Sequence, residues 1–185
     1  MSSRFTNIWV ILFSLIMFSC GEEDMTTAGD TSLQGTWKAI SLDGTVVSES
    51  SFMGNILLSD SEITGNNFDY ILTLTNDNKF VTSGSYDIEL STVVQGNVLV
   101  ATDSYDNVSG NGTYTYTETD IVLDGSIFDF SINGVPVEVS GGELPATYSI
   151  SNGIMTVTET KDEITNTNGV MASTQIDMVS VWQKQ

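Results

Sequence analysis

From Gly35 to the end of the chain, apolar positions recur at every second residue and turn residues interrupt them at short intervals. That is the signature of half-buried antiparallel strands. The first run, Leu33-Gln34-Gly35-Thr36-Trp37-Lys38-Ala39-Ile40, follows a polar leader, and the last is Met178-Val179-Ser180-Val181-Trp182-Gln183-Lys184. The folded part therefore begins and ends on a tryptophan-bearing strand, which points to a sheet closing on itself. Phe68, Tyr70, Leu72 and Leu74 share one face of a strand, and Asn76-Asp77-Asn78 turns the chain into a second strand starting at Lys79-Phe80. Tyr114 and Tyr116 share a face, and Glu118-Thr119-Asp120 turns that strand into Ile121-Val122-Leu123. Asn133-Gly134 and Asn152-Gly153 mark two further hairpins, because an Asn-Gly pair tolerates the positive φ of a two-residue turn. Pro136 has no N–H for a ladder, so its strand belongs at an edge or a bulge.

Two stretches break the rhythm. Ser51-Phe52-Met53-Gly54-Asn55-Ile56-Leu57-Leu58 has apolar residues at helical spacing behind a serine cap, which predicts one or two helical turns lying as a lid over one end. Between Gly96 and Gly112 only Val98-Leu99-Val100 reads as a short strand, and Asp103 to Gly110 reads as a polar loop. The pattern thus predicts eight to ten strands in one all-β domain over residues 33–185. An antiparallel up-and-down barrel leaves no unpaired edge and is the preferred arrangement; a β-sandwich uses the same alternation.

Residues 1–19 change the picture of where this domain resides. One positive charge, Arg4, precedes the apolar run from Ile8 to Phe18, too short for a comfortable permanent span but suited to a signal peptide. Met17-Phe18-Ser19-Cys20-Gly21 resembles the lipobox of bacterial lipoproteins, which implies a lipid on Cys20 and attachment to a membrane through it. A plain secretory signal followed by an incidental cysteine uses the same apolar run. Gly21-Glu22-Glu23-Asp24 resembles the export tag of surface lipoproteins of Bacteroidetes-type bacteria, implying the outer membrane and its outer surface, with the periplasmic face as the alternative. Residues 20–32 are polar and acidic and form a flexible tether.

Gly35 and Trp37 in the first strand, the run of hairpins, and Trp182 with Lys184 in the last resemble the lipocalin-like domains of bacterial lipoproteins. The resemblance implies that Trp37 plugs a closed barrel end with Lys184 packed over it, and that the interior accepts a small apolar or amphipathic ligand. The side chains expected to line it are Tyr70, Leu72, Phe80, Tyr114, Tyr116, Phe128, Phe130, Tyr148 and Met155. The same residues suit a solid core, leaving a non-catalytic structural or interaction protein as the alternative.

Composition narrows the chemistry. The net charge is −19, from 24 acidic and five basic side chains, so phosphate backbones are repelled and nucleic acid is excluded as a partner. The charge favours a soluble monomer. There is no histidine and Cys20 is the only cysteine, which removes Cys/His zinc sites and histidine-activated nucleophiles. Asp103-Ser104-Tyr105-Asp106 departs from the alternate-residue calcium pattern at Tyr105. No enzyme activity, metal or cofactor is expected.

Overall fold

A computed structural model describes residues 32–52, 55–132, 135–139, 145–167 and 170–185, with side chains described except at 52, 55, 129–132, 135–139, 145, 163, 165–167, 170 and 171. The strands are β1 (Gly35–Phe52), β2 (Asn55–Leu74), β3 (Lys79–Val94), β4 (Asn97–Tyr116), β5 (Asp120–Asp124), β6 (Phe128–Ile132), β7 (Val135–Val139), β8 (Pro145–Ser151), β9 (Ile154–Thr167) and β10 (Val170–Lys184). Eight of them close an antiparallel up-and-down barrel in the order β1-β10-β9-β8-β5-β4-β3-β2, while β6 and β7 pair only with each other. The chain steps from each strand to its neighbour and departs once, when the β6-β7 hairpin is interposed between β5 and β8.

Turn chemistry places most of the corners. Asn78, at φ 60, ends the turn after β2, whose Thr75 N–H donates to the Lys79 carbonyl at 2.9 Å. Asn152 and Gly153 both have positive φ between Ser151 and Ile154, the two-residue turn that Asn-Gly favours. Gln95 and Gly96 build the same kind of turn between β3 and β4. Asn133-Gly134 lies outside the described residues, although Ile132 and Val135 pair on either side of it. Pro136 sits in a two-stranded sheet, where each strand is an edge.

The expected helical turns at 51–58 do not form: β1 runs to Phe52, β2 starts at Asn55, and Phe52 pairs with Asn55, Ser51 with Ile56. The lid expected there is therefore a long β-hairpin. Likewise Asp103 to Gly110 is strand, part of a continuous β4 paired with β3 from Asn97 to Thr113. At 56–58 residues on both faces meet solvent, and between Tyr105 and Val108, both packed inward, the bulge shifts the phase, so the alternation that identifies a strand is lost.

Strand lengths divide the barrel into two halves. In the closed half all eight strands take part. In the other half β1–β4, β9 and β10 run on alone, since β5 pairs β4 only at Thr113–Tyr116 and β8 pairs β9 only up to Thr158. Register shifts lie at the seam between the halves, between Lys38 and Asp43, Asn66 and Asp69, and Gly84 and Tyr86. Extra residues there bend and twist the strands. Asn67 at φ 52 and Asn107 at φ 54 take the left-handed conformation in these bulges. Gly84 at φ 133 belongs to the same seam; a Cβ there would lie 1.9 Å from the Asp69 carbonyl oxygen.

The core is centred in the closed half and continues past the seam through Val46, Ile63, Ile88, Leu90 and Met178. Gly112 lets β4 approach it: a Cβ would meet the Asp124 carbonyl oxygen at 2.1 Å and the Phe80 ring at 2.6 Å. Because one obstacle is backbone, Gly112→Ala is expected to cost about 1–3 kcal/mol, measured as a lower midpoint in urea unfolding. An unchanged midpoint would show that β4 is not held against Phe80 and β5.

Candidate functional site

The closed end is built by the two terminal strands. Trp37 and Lys184 are directly opposite each other across β1 and β10, and Ala39 opposes Trp182. Trp37 is fully buried, its Nε1–H donates to the Leu33 carbonyl at 2.9 Å, and Lys184 Nζ lies 5.1 Å from its ring centroid. Lys184 Nζ also donates to the Ser32 carbonyl at 2.8 Å, tying the incoming chain across the same end. Gly35, at φ 135, passes beneath this lysine: a Cβ there would stand 3.0 Å from Lys184 Cε. A cation over an indole face contributes about 0.5–2 kcal/mol, depending on how far it is desolvated.

Above this plug the interior is a cluster of rings. Trp182 Nε1–H donates to Ser180 Oγ at 2.9 Å, and its ring lies 5.4 Å from Phe128 and 6.3 Å from Tyr70. Phe128 enters from the start of the β6-β7 excursion and meets Tyr70 and Tyr86, each at 5.3 Å. Tyr70 and Tyr86 are 4.9 Å apart edge to face, and Tyr105 stacks on Tyr86 at 5.3 Å. Such spacings are those of rings in direct contact. Tyr70, Leu72, Phe80, Tyr114, Phe128 and Met155 are each at most 2% exposed.

The phenols are engaged by the chain itself. Tyr70 OH donates to the Ile127 carbonyl at 2.5 Å, Tyr114 OH to Thr75 at 2.7 Å, and Tyr148 OH to Thr117 at 2.8 Å. Tyr116 departs from the expected interior position. It shares a face with Tyr114, their ring centroids 5.9 Å apart, but it sits at the rim with 47% of its surface exposed and accepts a bond from Gln34 Nε2. Tyr148 is half-buried beside it. Phe130 lies in β6 with its side chain outside the described set, and Cys20 precedes the described residues.

Sequence reasoning missed Tyr105, which it assigned to a loop, and Ile127, which it did not single out. The available signal was Val108, in step with Tyr114, and Tyr105, which the bulge at Asp106-Asn107 puts out of step. It also missed Thr82, which faces inward between Phe80 and Gly84. Its Oγ1 is fully buried and, among the described residues, is the one such side-chain atom without a hydrogen-bond partner.

At the opposite end the long strands carry apolar side chains into solvent. Val98, Leu99 and Val100 are 62–63% exposed, and Ile56, Leu58, Val47 and Val93 are exposed nearby. A surface groove of about 490 Å³ runs between Val47, Ile56, Leu58 and Val93 beside the Gln95-Gly96 turn. Asp87, beside the bulge at Asn67, accepts bonds from Asn67 Nδ2 at 2.6 Å and from Ser104, which hold its carboxyl below the ordinary value. Lower on the outer wall Asp43, Glu62 and Asp177 rim another groove. Among the described residues no group of three or more Asp, Glu, His or Cys side chains is placed to hold a metal ion.

Comparison with known proteins adds little to this geometry. No protein-family model matches the chain, and no curated protein matches it. Among solved structures it aligns with Ail, the attachment invasion locus protein of Yersinia pestis, at 8% identity over 81% of this chain and 99% of that one, with a TM-score of 0.23.

Two outcomes follow from the interior. Thr82→Val removes an unpaired buried hydroxyl at nearly constant volume and is expected to raise stability by about 1 kcal/mol, read from urea unfolding; a loss would mean that Oγ1 has a partner, such as bound water. Burial pushes the Tyr114 phenol up from its ordinary value. The folded state then holds this proton more tightly than the unfolded chain, so its stabilisation is complete below about pH 10 and declines as pH rises through the folded value. Tyr114→Phe should flatten the alkaline slope of stability against pH. An unaltered slope would place the phenol in water.

Proposed function

We propose that this chain is a lipid-anchored, lipocalin-like lipoprotein of the outer membrane whose barrel is solid, and that it acts without catalysis by presenting its open end to another macromolecule. The observation that carries this reading is the interior itself. The rings that would line a ligand cavity touch one another, and the hydroxyls of Tyr70, Tyr114 and Tyr148 are spent on backbone carbonyls rather than left for a guest.

The lipocalin resemblance is supported by the terminal strands, where Gly35, Trp37 and Lys184 adopt the plug-and-cation arrangement it implies. The outer wall supports a barrel that stands in water. Asp43, Thr45 and Glu49 on β1, Asp60, Glu62 and Thr64 on β2, and Glu89 on β3 face outward and are exposed, except that Thr45 and Thr64 contribute hydroxyls rather than charge. A bilayer-spanning barrel instead carries an apolar band roughly 25 Å tall on this face. Anchoring through Cys20 also biases the orientation. The chain enters the barrel at Leu33, buried against the closed end, and residues 21–32 span at most ~40 Å when extended. The closed end is therefore the end tied to the membrane, and the long hairpins lie at the end away from the tether.

Solvent extraction of the purified protein followed by mass spectrometry should yield no stoichiometric small molecule, and an apolar fluorescent probe should show no saturable uptake. A molecule recovered at one per barrel, or a probe displaced by competitors, would replace the solid barrel with a ligand carrier. For the anchor, Cys20→Ser is expected to move the protein from the detergent phase to the aqueous phase in Triton X-114 partitioning; an unchanged distribution would refute lipidation at Cys20.

A further inference from the structure

Among the described residues two strands keep an open edge above the seam, β4 before Thr113 and β9 beyond Thr158, and the β4 edge is the longer. β4 pairs with β3 along its whole length, but on its other side β5 reaches only Thr113–Tyr116. From Asn97 to Ser104 every residue is exposed, on both faces of the strand. Native proteins usually blunt such an edge with lysine, proline or an early bulge. Here the first bulge comes at Asp106-Asn107, opposite Ser85, leaving residues 97–105 as a regular strand about 30 Å long. Val98, Leu99 and Val100 sit near the start of that exposed run.

Charge decides what this edge accepts. From Phe80 to Thr160 the sequence contains no lysine or arginine. Asp103 and Asp106 lie on β4 itself, and Asp87 and Glu89 on the strand beside it, while the ion pairs Lys38–Asp69 and Lys79–Asp77 lie elsewhere. A second copy of the chain would bring the same anionic surface and a net charge of −19 against this one. Like charges facing each other at a contact cost several kcal/mol and suppress pairing.

Resting on the reading of a solid, water-facing barrel, we infer that the β4 edge from Asn97 to Tyr105 takes up an extended, cationic segment of a partner protein as an added strand. Main-chain hydrogen bonds to the open edge would supply the attachment, as in other strand-addition complexes. Apolar side chains of the incoming strand would lie beside Val98 and Val100, and its lysines or arginines near Asp103 and Asp106. The tether enters at the closed end, so this edge lies at the end of the barrel away from it, where such a segment has access.

The test uses the full chain in detergent and a ten-residue probe peptide of alternating valine and threonine carrying two lysines, with a glutamate-for-lysine peptide as control. Hydrogen exchange read residue by residue is expected to show slowed exchange at alternate amides of residues 97–105 with the lysine peptide and no change with the control. Asp103→Asn combined with Asp106→Asn should weaken binding about tenfold, and raising salt should weaken it further. These aspartates are exposed, so the variant is expected to fold, which its unchanged urea midpoint would confirm. Equal binding of both peptides, or protection confined to other strands, would overturn the proposal. Protection of residues 97–105 that grows with protein concentration without peptide would overturn it in favour of self-association. Failure of the solid barrel is separable, since it would appear as saturable uptake of the apolar probe whatever the β4 amides do.

Discussion

The pairing of the first barrel strand with the last is the constraint on which the structure rests. It runs from Trp37 opposite Lys184 to Ser51 opposite Met171, and without it the sheet would have two long edges and no inside. Closure also brings together residues that are distant in sequence. Trp37 receives its cation from Lys184, the Lys184 N–H donates to the Gly153 carbonyl at 2.8 Å, and the Gln185 N–H donates to Thr36 at 3.0 Å. The plug at the closed end is thus a product of closure, and it consolidates closure in turn by burying both tryptophans.

A barrel of eight strands has an interior narrow enough for side chains to meet across it. Trp182, Tyr70 and Phe128 show this directly, coming from β10, β2 and the start of β6 into mutual contact. Phe128 matters because it is not part of the barrel wall. The excursion between β5 and β8 delivers it inward, and the Ile127 carbonyl accepts the Tyr70 hydroxyl at its base. One inserted hairpin therefore supplies both an apolar ring and the acceptor that a buried phenol requires.

The seam of bulges separates two tasks. Below it, every strand has two neighbours and the interior is aromatic. Above it, six strands continue, the inward positions mix buried Ile63, Ile88 and Leu90 with hydroxyl pairs such as Ser61 with Thr92 and Ser48 with Thr174, and apolar side chains reach solvent. Short β5 and β8 are the cause, since they stop pairing where their long neighbours go on. The resulting open edge on β4 lies in the most uniformly anionic part of the chain. That charge keeps such an edge from joining its own kind while leaving it receptive to a cationic strand.

Much of the closed half was legible in the sequence. Alternation placed Tyr70, Leu72 and Leu74 inward, the Asn-rich turn at 76–78 and Asn152-Gly153 became corners, and the two tryptophan strands pointed to closure. The expected helix at 51–58 and loop at 103–110 failed for two reasons: a strand exposed on both faces has no reason to alternate, and a bulge such as Asn107 shifts the phase of what alternation persists. Tyr116 shows the same limit from another side, because sharing a face with Tyr114 says nothing about height along the barrel. Which face a residue occupies follows from the local geometry of the strand, and the sequence by itself determined that. Whether the interior is filled, where the neighbours of a strand end and which edge stays open depend on pairings between distant segments, and only the tertiary structure decided them.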